Sequence, residues 1–260
     1  MSGTSSAPTA LAVELGVIRA LAWRDTLRLM RERTRWLGLV AQPLLFWAII
    51  GGGMSESFVP AGAEGVDAFT YFYPGILGMV VLFTSIFSTM SVIEDRQSGF
   101  LQAVLAGPGS SASLVLGKTA GVTIIVLLQS SLFLLLAPIA GYPWASIDWP
   151  MLLLVLLLAN AALTFCNFVF AWVLNSTHGY HALMGVVLMP LWIVSGAMFP
   201  PPSGWVGGLV RINPMTYGVE GLRGAMGAGV TSVPLSTSVT VLGVCFVLSL
   251  AAAIWTTGRR

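Results

Sequence analysis

The sequence predicts an all-α polytopic membrane protein of six transmembrane helices, and three observations carry that expectation. Of the 260 residues, 56% are hydrophobic and 8% charged, with a mean hydropathy of +0.88, whereas soluble domains carry about 25% charged residues. Six apolar runs approach or exceed the roughly 20 residues with which a helix crosses a bilayer. The basic residues are also segregated: of 12 Lys and Arg, only Arg211 and Arg223 fall on the side opposite the rest. That bias orients a membrane protein with its basic segments inside, so both termini are expected in the cytoplasm.

Residues 1–36 form a cytoplasmic arm. Its small-residue start lacks the basic and apolar regions of a secretory signal peptide. Leu11 to Trp36 reads as an amphipathic helix, with Leu11, Leu15, Ile18, Ala22 and Leu29 on one stripe. Arg24, Arg28, Arg31 and Arg35 share the opposite face. Such a helix suits the membrane interface, its arginines against anionic headgroups. The same arginines equally fit a topological role alone, and the sequence leaves both readings open.

The six-helix region, 37–260, follows. Its first span, 37–54, contains Gln42-Pro43 and ends in Gly51-Gly52-Gly53; the next loop is acidic, with Glu56, Glu64 and Asp67. The second and third spans, 71–93 and 119–141, enclose a charged cytoplasmic loop. Within it, Phe100 to Ala106 has helical character, Leu101 and Leu105 lie four apart on one face, and Gly107-Pro108-Gly109 breaks the helix. A short surface helix between two spans can receive a push from outside the bilayer, with Leu101 and Leu105 as its docking face and Glu94 as an anchor. The fourth, fifth and sixth spans are 150–174, 182–199 and 235–257. Between the last two, Asn213-Pro214 reads as an N-cap followed by proline at the first helical position. The resulting short helix ends near Met226 at Gly227 and Gly229 and is expected to be extracellular, interfacial or re-entrant, with Glu220 and Arg223 paired on its surface.

Several chemistries are excluded or disfavoured. Leu116-Gly117-Lys118-Thr119 resembles the end of a phosphate-binding loop, but Ala112 stands where the first glycine is required and no strand precedes it. An intramembrane serine protease built on Ser195 would need His178 or His181 within hydrogen-bond reach. A whole span separates them. Two histidines and two span-embedded cysteines, Cys166 and Cys245, do not make a metal site, and no carboxylate of the proton-coupled kind is evident in a span. A self-powered secondary transporter is therefore disfavoured. No nucleic-acid partner and no bound cofactor are expected.

Three stretches together resemble the permease subunit of an ABC-2 type exporter, over nearly the whole chain. They are the arm with Trp23-Arg24-Asp25 and Arg31-x-Arg33 before Gln42-Pro43; the loop Glu94-(x)4-Gly99-x-Leu101 with Gly107-Pro108 and Gly117-Lys118; and Ser195-Gly196-(x)2-Phe199-Pro200 followed by Asn213-Pro214-x-Thr216-Tyr217-(x)2-Glu220-(x)2-Arg223. Gly107 departs from the threonine many relatives carry before the proline. The resemblance implies a dimer of permeases in a prokaryotic plasma (inner) membrane, joined to two copies of a separate ATP-binding subunit that carries ATP and Mg. It makes the arm an interface helix. It makes the loop a coupling element, carried by Glu94, Arg96, Gly99, Phe100, Leu101, Leu105, Gly107 and Pro108. It makes Ser195, Gly196, Asn213, Pro214, Tyr217, Glu220 and Arg223 an extracellular gate. Cargoes implied are drugs, lipids, glycolipids or polysaccharides.

Overall fold

Six helices long and apolar enough to cross a membrane, Trp36–Met54, Ala68–Gln97, Ser111–Leu134, Trp149–Leu174, Thr177–Ala197 and Leu235–Gly258, organise the structure. It is a computed structural model describing residues 9–54, 66–200, 204–229 and 231–258, and no strand occurs among them. Glu56 and Glu64 lie outside the described residues, as does the side chain of Arg35. In chain order the helices are α1 (Ala10–Arg31), α2 (Arg33–Phe46), α3 (Ala68–Gln97), α4 (Phe100–Ala106), α5 (Ser111–Leu134), α6 (Trp149–Leu174), α7 (Thr177–Leu183), α8 (Trp205–Ile212), α9 (Pro214–Ala225) and α10 (Leu235–Gly258). The first long helix prolongs α2 through a π-turn at Trp47–Gly51, and the fifth prolongs α7 through two more, Met184–Leu188 and Ile193–Ala197.

Short polar residues start these helices by accepting backbone N–H groups that have no intrahelical partner. Asp67 accepts from Thr70 N (2.8 Å), Ser110 from Ser113 N (3.1 Å), Asp148 from Met151 N (3.1 Å) and Ser176 from Gly179 N (3.2 Å). The Ser110 cap moves the third long helix off the expected 119–141. It begins at Ser111, so Lys118 lies two turns inside it, and it ends at Leu134. Pro138 has no N–H to give the Leu134 carbonyl, which accepts from Ala137 N (3.1 Å) and from the Trp144 indole N–H (3.2 Å). The chain then turns back, with Tyr142 N donating to Ala137 O (2.9 Å).

Helix α3 is the central post. Of its most apolar window 83% of residues are buried, against 17% for α10, so α10 belongs to the periphery. Pro74 within α3 deprives the Thr70 carbonyl of its helical donor, and the Tyr142 hydroxyl supplies one at 3.1 Å. Burial pushes the Tyr142 phenol up to about 12, which keeps it protonated as that donor. Farther along, Ser85 accepts from Asn167 Nδ2 (2.9 Å) and Thr164 Oγ1 (3.2 Å), and Asn160 Nδ2 donates to Thr123 Oγ1 (2.7 Å). These bonds tie α3, α5 and α6 together where apolar contact alone gives little specificity between helices in lipid.

Helix α1 lies along the first turns of α5. A Cβ on Gly117 would stand 3.0 Å from Leu21 Cβ and 3.1 Å from Ile18 O; one on Gly121 would stand 3.1 Å from Ala22 O. The small face Ser113-(x)3-Gly117-(x)3-Gly121 is what lets the two backbones approach. The buried face of α1 is therefore Leu21, Ala22, Thr26 and Leu29. Leu11 and Leu15, on the apolar stripe expected at the membrane interface, are exposed. The inward face is rotated toward the arginines, because Arg24 and Arg28 find carboxylates in the interior.

Candidate coupling and gate sites

At the end of the bundle that carries most of the basic residues, six ionisable side chains from α1, α3 and α5 converge. Asp95, buried near the last turn of α3, is the hub. Arg24 grips it with two parallel bonds, Nη2 to Oδ1 at 2.7 Å and Nη1 to Oδ2 at 2.8 Å, the fork geometry that makes Arg–carboxylate pairs strong. Lys118, buried to the same degree, also donates to Asp95 and bridges to Asp25 at 2.9 Å. Arg28 reaches Asp95 at 3.3 Å and Glu94 at 2.6 Å. Hydrogen bonding to Asp95 raises the Arg24 pKa above its ordinary value, so that cation stays charged.

This cluster is fastened to α4. The Arg24 guanidinium lies 3.8 Å from the centre of the Phe100 ring, a cation–π contact at the first residue of the short helix. Beyond the other end of α4, the Ser110 N–H and hydroxyl donate to Glu14 at 3.2 and 2.9 Å. Hydrogen bonds from Ser113 and Ser110 hold the Glu14 carboxyl below its usual value. One helix, α1, thus straps α4 from both sides. Gly99, at φ 79°, supplies the left-handed turn between α3 and α4 that a side chain would strain.

The structure corrects the expected face of α4. Leu101 is 0% exposed and Leu105 packs against the same core. They point into the bundle. Gln102, Ala103, Ala106, Gly107 and Pro108 are the exposed ones. Arg96 is turned inward as well: it donates to the Trp172 carbonyl and lies 4.6 Å from that ring, capping the carbonyl-rich end of α6. Arg31 is exposed.

At the opposite end the second group of expected residues meets around the fifth long helix. Gly196 breaks that helix with φ 85°, and its carbonyl accepts from Arg223 Nη2 at 3.1 Å. Gly75 of α3 passes so close that a Cβ there would lie 2.2 Å from Ala197 O. Asn213 caps α9 through Met215 N (3.0 Å) while its Nδ2 donates to Leu191 O at 2.6 Å. Pro214 opens α9, and the chain leaves it at Gly227 (φ 75°). The Tyr217 hydroxyl donates to Arg211 O at 2.6 Å.

Glu220 and Arg223 pair as expected but not on the surface. They are 0% and 2% exposed. Arg223 also lies 4.4 Å from the Tyr71 ring centre, and Glu220 accepts from Ser232 N (2.5 Å) and Val233 N (3.3 Å). Two buried carboxylates, Asp95 and Glu220, thus exist where none was evident from sequence; both are paired with cations, and neither is at mid-span. Ser195 donates to Trp192 O at 2.6 Å and is fully buried, while His178 and His181 are exposed at the other end of the helix. That separation removes the protease arrangement. Among the described residues no three His, Cys, Asp or Glu side chains are grouped to hold a metal ion.

Asp25, Asp95 and Lys118 went unrecognised as a site in the sequence. The available signal was their position: Asp95 and Lys118 close to span ends, and Asp25 in the arm before the first span, in a chain with 8% charge.

A family description, "ABC-2 type transporter", matches residues 16–226, from the strap helix through α9. The chain belongs to the ABC-2 type transporter family. It is an integral membrane protein and a permease component of such a transporter. A protein named "Putative transport permease ycf38" from Porphyra purpurea is 27% identical over 213 residues, covering 79% of this chain and 72% of that one. The protein of the same name from Cyanophora paradoxa is 27% identical over 212 residues, 78% and 71% of the two chains. The ABC-2 match includes the ion cluster, α4 and the buried Glu220–Arg223 pair.

Proposed function

We propose that this permease forms, as two copies, the membrane path of an ATP-driven exporter, with two copies of a separate ATP-binding subunit docked on the α4 side. The observation that supports this most is the mounting of α4. Its apolar residues are fixed in the core, its Gln102–Ala103–Ala106 face is free, and its ends are tied to α1, α3 and α5. A displacement of α4 is therefore carried to three helices together, because Asp95 cannot lose Arg24 and Lys118 cheaply. This role belongs to α4 as a coupling helix and to α1 as an interface helix. At the far side, α9 with Glu220 and Arg223 is a re-entrant element that seats on the Gly196 break and controls exit.

The orientation follows from the charge bias: the α4 end and both termini face the cytoplasm of a prokaryotic plasma membrane. The cargo is a drug, lipid, glycolipid or polysaccharide. ATP and Mg act on the partner chain. The test is to co-express the permease with the candidate ATP-binding subunits of its own genome and weigh the complex in lipid nanodiscs. Two permeases with two ATP-binding chains are expected. Export of a dye from vesicles holding the permease alone, with no ATP, would overturn the proposal.

A further inference from the structure

A second site lies away from α4, on the flank of α10. Helices α3, α6, α9 and α10 leave a cavity of about 340 Å³ between them, with Val81, Ala162, Cys166, Gly218, Cys245 and Leu248 among its lining residues. Cys245 is ten residues along α10, about 15 Å from its start, which is half the ~30 Å hydrocarbon thickness. No charged residue lines the cavity. Its one hydroxyl, on Ser249, donates to Phe246 O at 3.2 Å. Water finds too few polar partners there to be held, since it needs about two to four, and an apolar cavity of ~150 Å³ already stays dry and takes up small hydrocarbons. At this size the cavity falls in the ~300–1,000 Å³ range of ligand pockets.

The mouth identifies the occupant. Leu248 lines the cavity and is 65% exposed, and Val244 and Val247 beside it are 54% and 60% exposed. The opening is thus continuous with the outward apolar face of α10, which faces bilayer hydrocarbon. We infer that the cavity is a binding site for one acyl chain of a membrane phospholipid, whose headgroup stays outside in its leaflet. A whole helix, ~10–12 Å across, is too wide to enter. The wall contributed by Met215, Gly218 and Leu222 belongs to the helix that carries Glu220 and Arg223, so the chain fills the space behind that helix. The inference rests only on membrane insertion and stands apart from ATP coupling.

The test uses the full chain in nanodiscs of phosphatidylcholine and phosphatidylglycerol, doped with phosphatidylcholine that carries a mid-chain diazirine. After irradiation, mass spectrometry should find adducts at Cys166, Met215 and Cys245 at least threefold above those at Val186, which is 75% exposed but outside the cavity. Ala162→Phe should lower the three by more than fivefold and leave Val186 unchanged. Gly218→Leu repeats the filling from the α9 wall, where a Cβ meets only Ala159 Cβ at an ordinary 3.7 Å, and it serves if the first variant misfolds. Equal adducts at the cavity and at Val186 would overturn the assignment. So would cavity adducts that survive filling, or a thiol crosslink through Cys245 to a second copy seated in the opening.

Discussion

Asp95→Asn is the perturbation whose size is best fixed by the structure. The change keeps the shape of the side chain and removes one charge. Arg24 loses a bidentate partner, Arg28 loses one of three carboxylates, and Lys118 keeps Asp25 as its one carboxylate, with the Ser91 hydroxyl beside it. Arg24 is a third exposed and rehydrates, but Lys118 is 2% exposed and cannot. Removing one partner of a buried pair costs about 3–5 kcal/mol; Asp25 still compensates Lys118 in part, so the lower end of that range applies. For a domain of this size that corresponds to a fall in unfolding midpoint of very roughly 10 °C. Arg28→Gln is the control. Arg28 is 36% exposed and Asp95 keeps Arg24 and Lys118 when Arg28 is gone, so no charge is stranded in the interior and each lost pair counts as a surface one, about 0–1 kcal/mol. Thermal unfolding in nanodiscs, followed by tryptophan fluorescence, separates the two. Asp95→Asn combined with Lys118→Met should regain part of the loss. Equal, small shifts for Asp95→Asn and Arg28→Gln would show that water reaches the cluster, and the bracing of α4 would fail with it.

Glu220→Gln should destabilise by about 3–5 kcal/mol for the same reason, since Arg223 is buried beside it; a shift of a degree or two in the unfolding midpoint would refute this. Gly75→Ala should prevent the close pass of α3 at Gly196 and lower the yield of folded protein on size exclusion, because the added Cβ would lie 2.2 Å from Ala197 O; a normal elution profile and midpoint would contradict it. In a background with Cys166→Ser and Cys245→Ser, a cysteine at Trp205 should react with an impermeant maleimide added outside cells and one at Ser98 should not. The opposite pattern would invert the orientation.

What the sequence showed were the features of low range. The six spans follow from apolar length, and the start of α9 from Asn213-Pro214, whose cap and proline act within one turn. The direction of α4 was not readable. Leu101 and Leu105 define a face, but the pattern is the same whether that face meets a partner or the chain's own core, and α4 turned it inward. The cluster at Asp95 was hidden by distance along the chain, since Arg24 and Asp95 are 71 residues apart. The third span was misplaced because Lys118 looked like a boundary; inside the fold it is neutralised by Asp25 and Asp95, so the helix runs past it. The burial of Glu220 and Arg223 had one local hint, the small residues Gly218, Gly221 and Gly224 around them, which let other helices come close to α9.

In the proposed complex α4 meets the ATP-binding subunit with its Ala103–Ala106 face while Leu101 stays in the core. Single cysteines at Leu101, Ala103 and Ala106, in the cysteine-free background and in the assembled complex, test it most directly with a short bis-maleimide. Crosslinks to the ATP-binding chain are expected from Ala103 and Ala106, changing in yield when ATP is added, and none from Leu101. A crosslink from Leu101 with none from the other two, or no crosslink from any of them, would contradict it.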